Sequence, residues 1–355
     1  MTKTASDQRD EARATFLTAH GWGSAKRWLL AADASFRHYD RLEKSLPDGR
    51  TERVVLMDAP PQSEDIRPFL SIAQHLLDLG YSAPKPLAQD RAQGFLLLED
   101  FGDQTFSKLI AENHDETALY ALATDLLADL HRTFPAKKET PNPLPAAYDG
   151  KAFLAEAQLF LDWYVPVVEG RAPGPGQTDP QFEALILALV PVMQGRTGGR
   201  TGGAGAESLV LRDFHVDNLM IVPERTGLQA CGLLDFQDAL MGPRSYDLMS
   251  LLRDARRDVP EDLQQAMKDR YLAACPGIHR ETFEASYAAL AVQRGLKILG
   301  IFTRLSRRDS KHGYLRHIER VWRLLEEDLC HPALSDMRHY LDLRLPGEKR
   351  ITSPI

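Results

Sequence analysis

Apolar residues fall mainly in short strand-length runs through the first hundred residues and recur at helical spacing beyond residue 104, so the chain divides by pattern before any chemistry is considered. Residues 7–20 read as a short amphipathic helix closed by the Gly-Trp-Gly at 21–23. Strands are predicted over Lys26 to Ala31 and Phe36 to Glu43, on either side of the small-residue turn ADAS. The PDGR segment at 47–50 turns the chain into a third strand, Glu52 to Asp58. A helix is expected from the cap Ser63, with Glu64 and Asp65 in its first turn and Gly80 beyond its end. Two further strands, near 85–89 and 94–98, make five in all.

The helical part opens with a stripe of Leu119, Leu122, Leu126, Leu127 and Leu130. A second stripe, Phe153, Ala157, Phe160, Leu161 and Tyr164, is expected to stop at Pro166. The GRTGGRTGGAGA run at 195–206 reads as a flexible linker and lacks the Gly-Lys-Ser/Thr ending of a phosphate loop. Then come an apolar strand at Ser208 to Leu211 and a hairpin of Leu219 to Val222 with Gln229 to Leu234. Helices are predicted over Tyr246 to Arg256, 261–273, 281–306, 314–329 and 332–343. No internal repeat is visible. The expected class is α+β, with two lobes: a β-rich N-lobe over 1–101 and a mostly helical lobe over 102–355 that carries the hairpin.

Composition narrows the partners. A chain of 355 residues with 43% apolar content buries a full core and is long for one compact unit. Its formal charge of −7 lacks the basic excess that nucleic-acid and membrane-surface proteins carry, so small polar ligands fit better. Cys231, Cys275 and Cys330 are widely spaced and offer neither a zinc pattern nor a disulfide framework, which suits a reducing cytoplasm. No stretch has the length and apolarity to span a bilayer, and the charged start has no signal-like apolar run.

The chemistry gathers at the hairpin. Its strands are antiparallel, so Asn218, just before the outgoing one, and Asp235, just after the returning one, emerge at the same open end. Asp213 lies five residues before Asn218. Asp and Asn also flank strands because they favour turns, but an Asp-x4-Asn followed by a hairpin and a strand-terminal Asp-Phe is a more specific arrangement. Phosphoryl transfer needs hard oxygen ligands for magnesium and one carboxylate to orient the attacking hydroxyl and receive its proton. Asp213, Asn218 and Asp235 supply those parts.

The run LRDFHVDN resembles the protein-kinase loop HRDLxxxN and the HGDxHxxN loop of aminoglycoside phosphotransferases and choline kinase-like enzymes, and LLDFQD resembles the segment that follows. The resemblance implies a kinase-like fold that uses ATP and Mg2+. It makes Asp213 the catalytic base, Asn218 and Asp235 the metal ligands, and His215 a residue approaching the transferring phosphate. LLLEDFGD would be the hinge, where backbone groups of Glu99 to Phe101 read the adenine. The loop's leading His is Leu211 here. The ADASFRH turn has no glycine-rich phosphate loop, and Met57 stands where such kinases carry a lysine.

Ser35, Arg37 and Arg41 are the candidates to replace that cation, the two arginines lying four apart on one strand face, although strand arginines are often simply solvated. Asp247 is expected to brace the catalytic loop, and Asp238 to contact substrate. Arg294, Lys297, Arg304 and Arg308 form a basic stripe that fits either cross-helix ion pairing or an anionic acceptor pocket. Within the superfamily, LRDFHVDNLM, LLDFQDALMGPRSYDL, SFRHYDR, VVLMDAPP and AVQRGLKILGIFTR together resemble bacterial amino-sugar kinases of cell-wall recycling. That closer resemblance implies phosphorylation of N-acetylmuramate and N-acetylglucosamine at the anomeric hydroxyl. An aminoglycoside or amino-alcohol kinase and a nucleotide-binding pseudokinase are the alternatives.

Overall fold

Strands β1 (Lys26–Ala32), β2 (His38–Ser45), β3 (Thr51–Asp58), β4 (Pro86–Asp90) and β5 (Phe95–Glu99) form one antiparallel sheet in the order β1-β2-β3-β5-β4. A computed structural model describes residues 5–32, 36–134, 145–197, 200–201 and 207–350, and the chain falls into two units. The first holds the described residues up to 114 together with 216–238; the second holds the rest.

Alternation along β3 and β5 gives the sheet two different faces. Leu42, Val54, Leu56, Phe95 and Leu97 pack with Phe16, Leu17 and Trp22, contributed by helix α1 (Ala5–Ala19) and the turn after it. Val55 and Leu98, one step out of phase, face a cavity instead. Two arginines tie α1 to the end of β3: Arg9 Nε lies 3.0 Å and Arg13 Nη1 3.1 Å from the carboxylate of the buried Asp58. Helix α2 spans Arg67–Asp78, later than the cap at Ser63 predicts. Pro68 accounts for the delay, since a helix begun at residue 63 would place it in the interior, whereas at the first turn its missing N–H costs nothing. Asp65 instead accepts from the Arg67 N–H at 2.9 Å. A short helix, α3 (Phe106–Ala111), follows β5, capped by Thr105, whose hydroxyl accepts from the Lys108 N–H.

The hairpin is shorter than the pattern suggests. Leu219–Ile221 pairs with Cys231–Leu233, and Gly227–Ala230 form a 3-10 turn rather than strand.

In the second unit α4 (Glu116–Thr133), α5 (Gly150–Leu159), α6 (Val165–Val168) and α7 (Pro180–Met193) precede α8 (Ser245–Leu252), α9 (Glu261–Ala274) and the long α10 (Arg280–Asp309). Pro166 does not stop the second stripe. Phe160–Tyr164 widen into a π-turn in which the Val165 N–H bonds back to the Phe160 carbonyl, and Pro166 then sits at the start of α6, where a missing donor is tolerated. Gly300 of α10 lies against this region, and a Cβ there would be 2.3 Å from the Leu159 carbonyl carbon. Helix α8 ends at Leu252, short of Arg256, because Asp254 accepts from the Arg256 N–H at 2.8 Å in a local turn.

Glu207–Val210 pairs antiparallel with Leu240–Pro243, a strand that the sequence pattern had not separated from the loop. Within the glycine-rich run, Arg196–Thr197 pairs with Arg200–Thr201, so part of the expected linker is a small ladder; 198–199 and 202–206 lie outside the described residues. The C-terminal helices begin later than predicted, at Ile318 and Ser335, each after a 3-10 turn.

Candidate active site

Site residues fall in both units. In the first, a cavity of about 470 Å³ opens on the sheet face that α1 does not cover. Leu30, Val55 and Leu98 line one side, residues 100–103 another, and Met220 and Leu234 of the hairpin a third, with Asn218 and Asp235 also in its lining. Its size and mainly apolar walls, broken by a few polar groups, suit a nucleoside.

Asp235 is held in an unusual conformation. Its φ is +55°, a left-handed value that costs most non-glycine residues about 1–2 kcal/mol and aspartate or asparagine less. The surroundings hold it there: the Leu234 N–H donates to the Asn218 carbonyl at 2.9 Å, and the buried Phe236 stacks on Phe69 of α2 with ring centroids 5.1 Å apart. Gln237 Nε2 donates to one Asp235 oxygen at 2.7 Å, and Asn218 Nδ2 lies 3.5 Å from the other. The structure therefore brings Asn218 and Asp235 together. One carboxylate and one amide, which offers an oxygen as well as a nitrogen, fit magnesium, an ion that takes one or two protein ligands and completes its shell from phosphates and water. No group of three or more His, Cys, Asp or Glu side chains that could hold a metal ion occurs among the described residues.

Met57 is buried between Tyr39 and Leu96, so the strand position offers no cation. Ser35 lies outside the described residues. Arg37 does not share a strand face with Arg41, because β2 begins at His38. Its guanidinium is nearly buried, with Nε 3.5 Å from Glu64 and Nη2 4.0 Å from Asp238. Burial works against its charge, but Tyr39, Glu64, Asp235 and Asp238 outweigh that and keep it firmly protonated. Arg41 turns elsewhere, pairing with Asp100 at 2.7 Å and Asp103 at 2.6 Å. At the hinge, the Glu99 N–H donates to the Lys85 carbonyl at 2.9 Å and is thus spent within the protein, and the Glu99 carboxylate pairs with Arg225. Phe101 packs with Met220, Val222 and Leu234; a Cβ on Gly232 would come within 2.8 Å of its ring.

The second unit carries Asp213 and His215. Asp247, at the start of α8, accepts from the Leu211 N–H at 2.7 Å and the Arg212 N–H at 2.9 Å, so it braces the loop while Leu211 fills the apolar space beneath. Burial pushes the Asp247 carboxyl up to about 7 in spite of those two donors. Arg212 has φ +69°, a left-handed value. Asp213 is partly exposed, with Arg294 Nη2 3.7 Å away. Burial raises its carboxyl, but Arg294, Lys297, His215 and Arg212 more than offset this and hold it below the usual range. His215 is buried and pushed down, first by burial and then by Arg256, which leaves a neutral imidazole at physiological pH.

The basic stripe separates into parts. Arg294 also donates to the Tyr246 hydroxyl at 3.0 Å, and Lys297 pairs with Glu156 at 2.8 Å. Arg304 lies ten residues beyond Arg294, about 15 Å along the helix, and is not brought into this cluster; Arg308 pairs with its neighbour Asp309 at 2.8 Å. Glu156 is the residue sequence reasoning missed. It accepts from Tyr148, Arg212, Gln293 and Lys297. Burial pushes its carboxyl up, yet Lys297 and Arg212 bring it down to about 2. A signal existed: Glu156 sits three residues after Phe153 and four before Phe160, an acid on an otherwise apolar stripe.

Comparison with known proteins bears on this arrangement. A model of the family described as phosphotransferase enzyme family matches residues 29–283. The N-acetylmuramate/N-acetylglucosamine kinase of Caulobacter vibrioides is 34% identical, over 98% of this chain and 99% of its own. Its counterpart in Pseudomonas aeruginosa is 36% identical, over 91% and 90%. The chain belongs to the phosphotransferase enzyme family. A solved choline kinase from Streptococcus pneumoniae superposes on this phosphotransferase with a TM-score of 0.58 at 11% identity, covering 90% of this chain and 99% of that one. The kinase-like α+β fold expected from the sequence is the fold found, with its antiparallel sheet in the N-terminal region and helices dominating the rest. No helix among the described residues is long and apolar enough to cross a membrane.

Proposed function

We propose that this phosphotransferase uses ATP and Mg2+ to phosphorylate the anomeric hydroxyl of N-acetylmuramate and N-acetylglucosamine, within cytoplasmic recycling of cell-wall sugars. The observation that carries the reading is the name shared by full-length relatives at 34% and 36% identity. The chemistry of the residues supports it. Asp213, kept ionised by the cations around it, orients the sugar hydroxyl and accepts its proton as the oxygen bonds to the γ-phosphorus. The bond from that phosphorus to the bridging oxygen breaks, and ADP leaves. Magnesium, when bound by Asn218 and Asp235, neutralises charge on the phosphate oxygens. Arg37 is the cation that stands in for the missing lysine, and Asp238 lies near it.

Acceptor charge favours amino sugars over aminoglycosides. Arg212, Arg294 and Lys297 face the two firmly ionised carboxylates Glu156 and Asp213, so the cluster has no excess of acid to attract a polycation.

The direct test is ADP release with MgATP and a panel of amino sugars, aminoglycosides and amino alcohols. The product with N-acetylmuramate should have lost its reducing end and show phosphorus coupling at its anomeric proton. A product that still reacts as a reducing sugar overturns the anomeric assignment while leaving the kinase intact. Two variants probe the ligands. Arg37→Ala should raise the KM for ATP about tenfold, with the KM for sugar unchanged; unaltered ATP kinetics would remove Arg37 from the phosphate site. Arg294→Ala, which also removes a cation beside Asp213, should raise the KM for N-acetylmuramate more than that for N-acetylglucosamine, because a charged hydrogen bond to the lactyl carboxylate is worth about 1.5–3 kcal/mol. Equal loss on both sugars would assign the arginine to the scaffold.

A further inference from the structure

Arg41 was a candidate for the phosphates, and its contacts point to another task. Nε lies 2.7 Å from Asp100 Oδ2, Nη1 donates to Asp103 at 2.6 Å, and Nη2 donates to Asp100 Oδ1 at 2.9 Å and to the Gly102 carbonyl at 2.8 Å. Both terminal nitrogens of the guanidinium are thus hydrogen-bonded to the segment 100–103, and Nε lies in ion-pair distance of it without a hydrogen bond. The side chains of Arg41 and Asp100 are each only 5% exposed, and two carboxylates already neutralise the one cation. A triphosphate would have to compete with both.

The segment it holds is part of the cavity wall. Asp100, Phe101, Gly102 and Asp103 all line the cavity, whereas Arg41 does not. Asp100 Oδ1 also accepts from the Gly102 N–H at 2.9 Å, closing a turn in which Gly102 has φ +81°. Such a turn is easily deformed, because glycine has many backbone conformations open to it. Phe101, wedged against Gly232, fixes it from the hairpin side, and Arg41 fixes it from β2. A buried ion pair contributes little net stability over an apolar replacement, but it holds its partners in one geometry.

We propose that Arg41 is a positioning residue for the nucleoside: it clamps the 100–103 turn so that the backbone groups reading the base are fixed before the nucleotide arrives. This rests on the nucleotide-binding reading of the cavity. A clamp acts on the base and ribose, so its loss weakens ligands with and without phosphates alike. A phosphate cation acts only on the former.

The test compares adenosine and MgATP binding by calorimetry in the full-length protein, together with amide hydrogen exchange of the 98–105 region without ligand. Arg41→Met should weaken adenosine and MgATP by the same factor, about tenfold, and speed exchange at 100–103. Arg37→Met should weaken MgATP alone. Asp103→Asn removes one leg of the clamp from an exposed side chain, keeps its shape, and should give a smaller loss in the same direction; it serves if Arg41→Met does not fold. A loss confined to MgATP in the Arg41 or Asp103 variant, or unchanged exchange at 100–103, overturns the clamp. A merely structural role would lower Tm and leave adenosine affinity intact, which also overturns it. If the unaltered protein binds neither ligand, the nucleotide reading fails separately, and the exchange result alone decides whether Arg41 holds the turn.

Discussion

Asp213→Asn is expected to lower turnover by about 10²–10⁴ while leaving ATP affinity nearly unchanged. The substitution keeps the shape and the loop, since the brace runs from Asp247 to the Leu211 and Arg212 amides rather than through the Asp213 side chain. What it removes is a proton acceptor. The three cations around Asp213, Arg294, Lys297 and Arg212, favour its ionised form, so the unaltered enzyme should hold its activity down to mildly acidic pH without a limb set by this group. Steady-state kinetics of both proteins between pH 5 and 8 check this. Near-normal turnover in the variant would take Asp213 out of the role.

Asp235→Ala is expected to abolish magnesium-dependent nucleotide binding, and Asn218→Ala to weaken it less, because the first loses a charged ligand and the second a neutral one. Both side chains belong to one hairpin and lie within 3.5 Å of each other, so the comparison is made at a single locus. Titration of MgATP against ATP with chelator separates the metal effect from general damage. Unchanged magnesium dependence in both variants would sink the assignment. Alanine at 235 also carries a backbone penalty of about 1–2 kcal/mol in the left-handed region, so Tm should be followed alongside.

Much of this was legible in the sequence because the responsible signals are local. The short apolar runs in VVLMD and FLLLE give two strands of the sheet, and the hairpin places Asn218 and Asp235 together through strand pairing alone. Boundaries failed where a proline or a short side-chain turn competed with periodicity, as at Pro68, Pro166 and Asp254. The larger omissions were non-local. Glu156 meets Lys297 across 141 residues, and Arg41 meets Asp103 across 62. Such pairings depend on which helix or strand packs beside which, and no periodicity reports that. The arginine stripe shows the same limit, since its members share a helix face in sequence but are partnered differently in the fold.

The left-handed backbone at residue 235 restricts how this molecule could drift into inactivity. A lineage released from catalysis would still need its hairpin closed, with Phe236 against Phe69 and the Leu234 amide on Asn218. Most side chains at 235 would strain that closure, whereas asparagine and glycine occupy the same backbone region with little cost. Descendants that retained the fold and lost the chemistry should therefore carry one of those two residues at this position. An Asp235→Asn protein, folded as well as its parent and without metal-dependent turnover, would be the first step on that path.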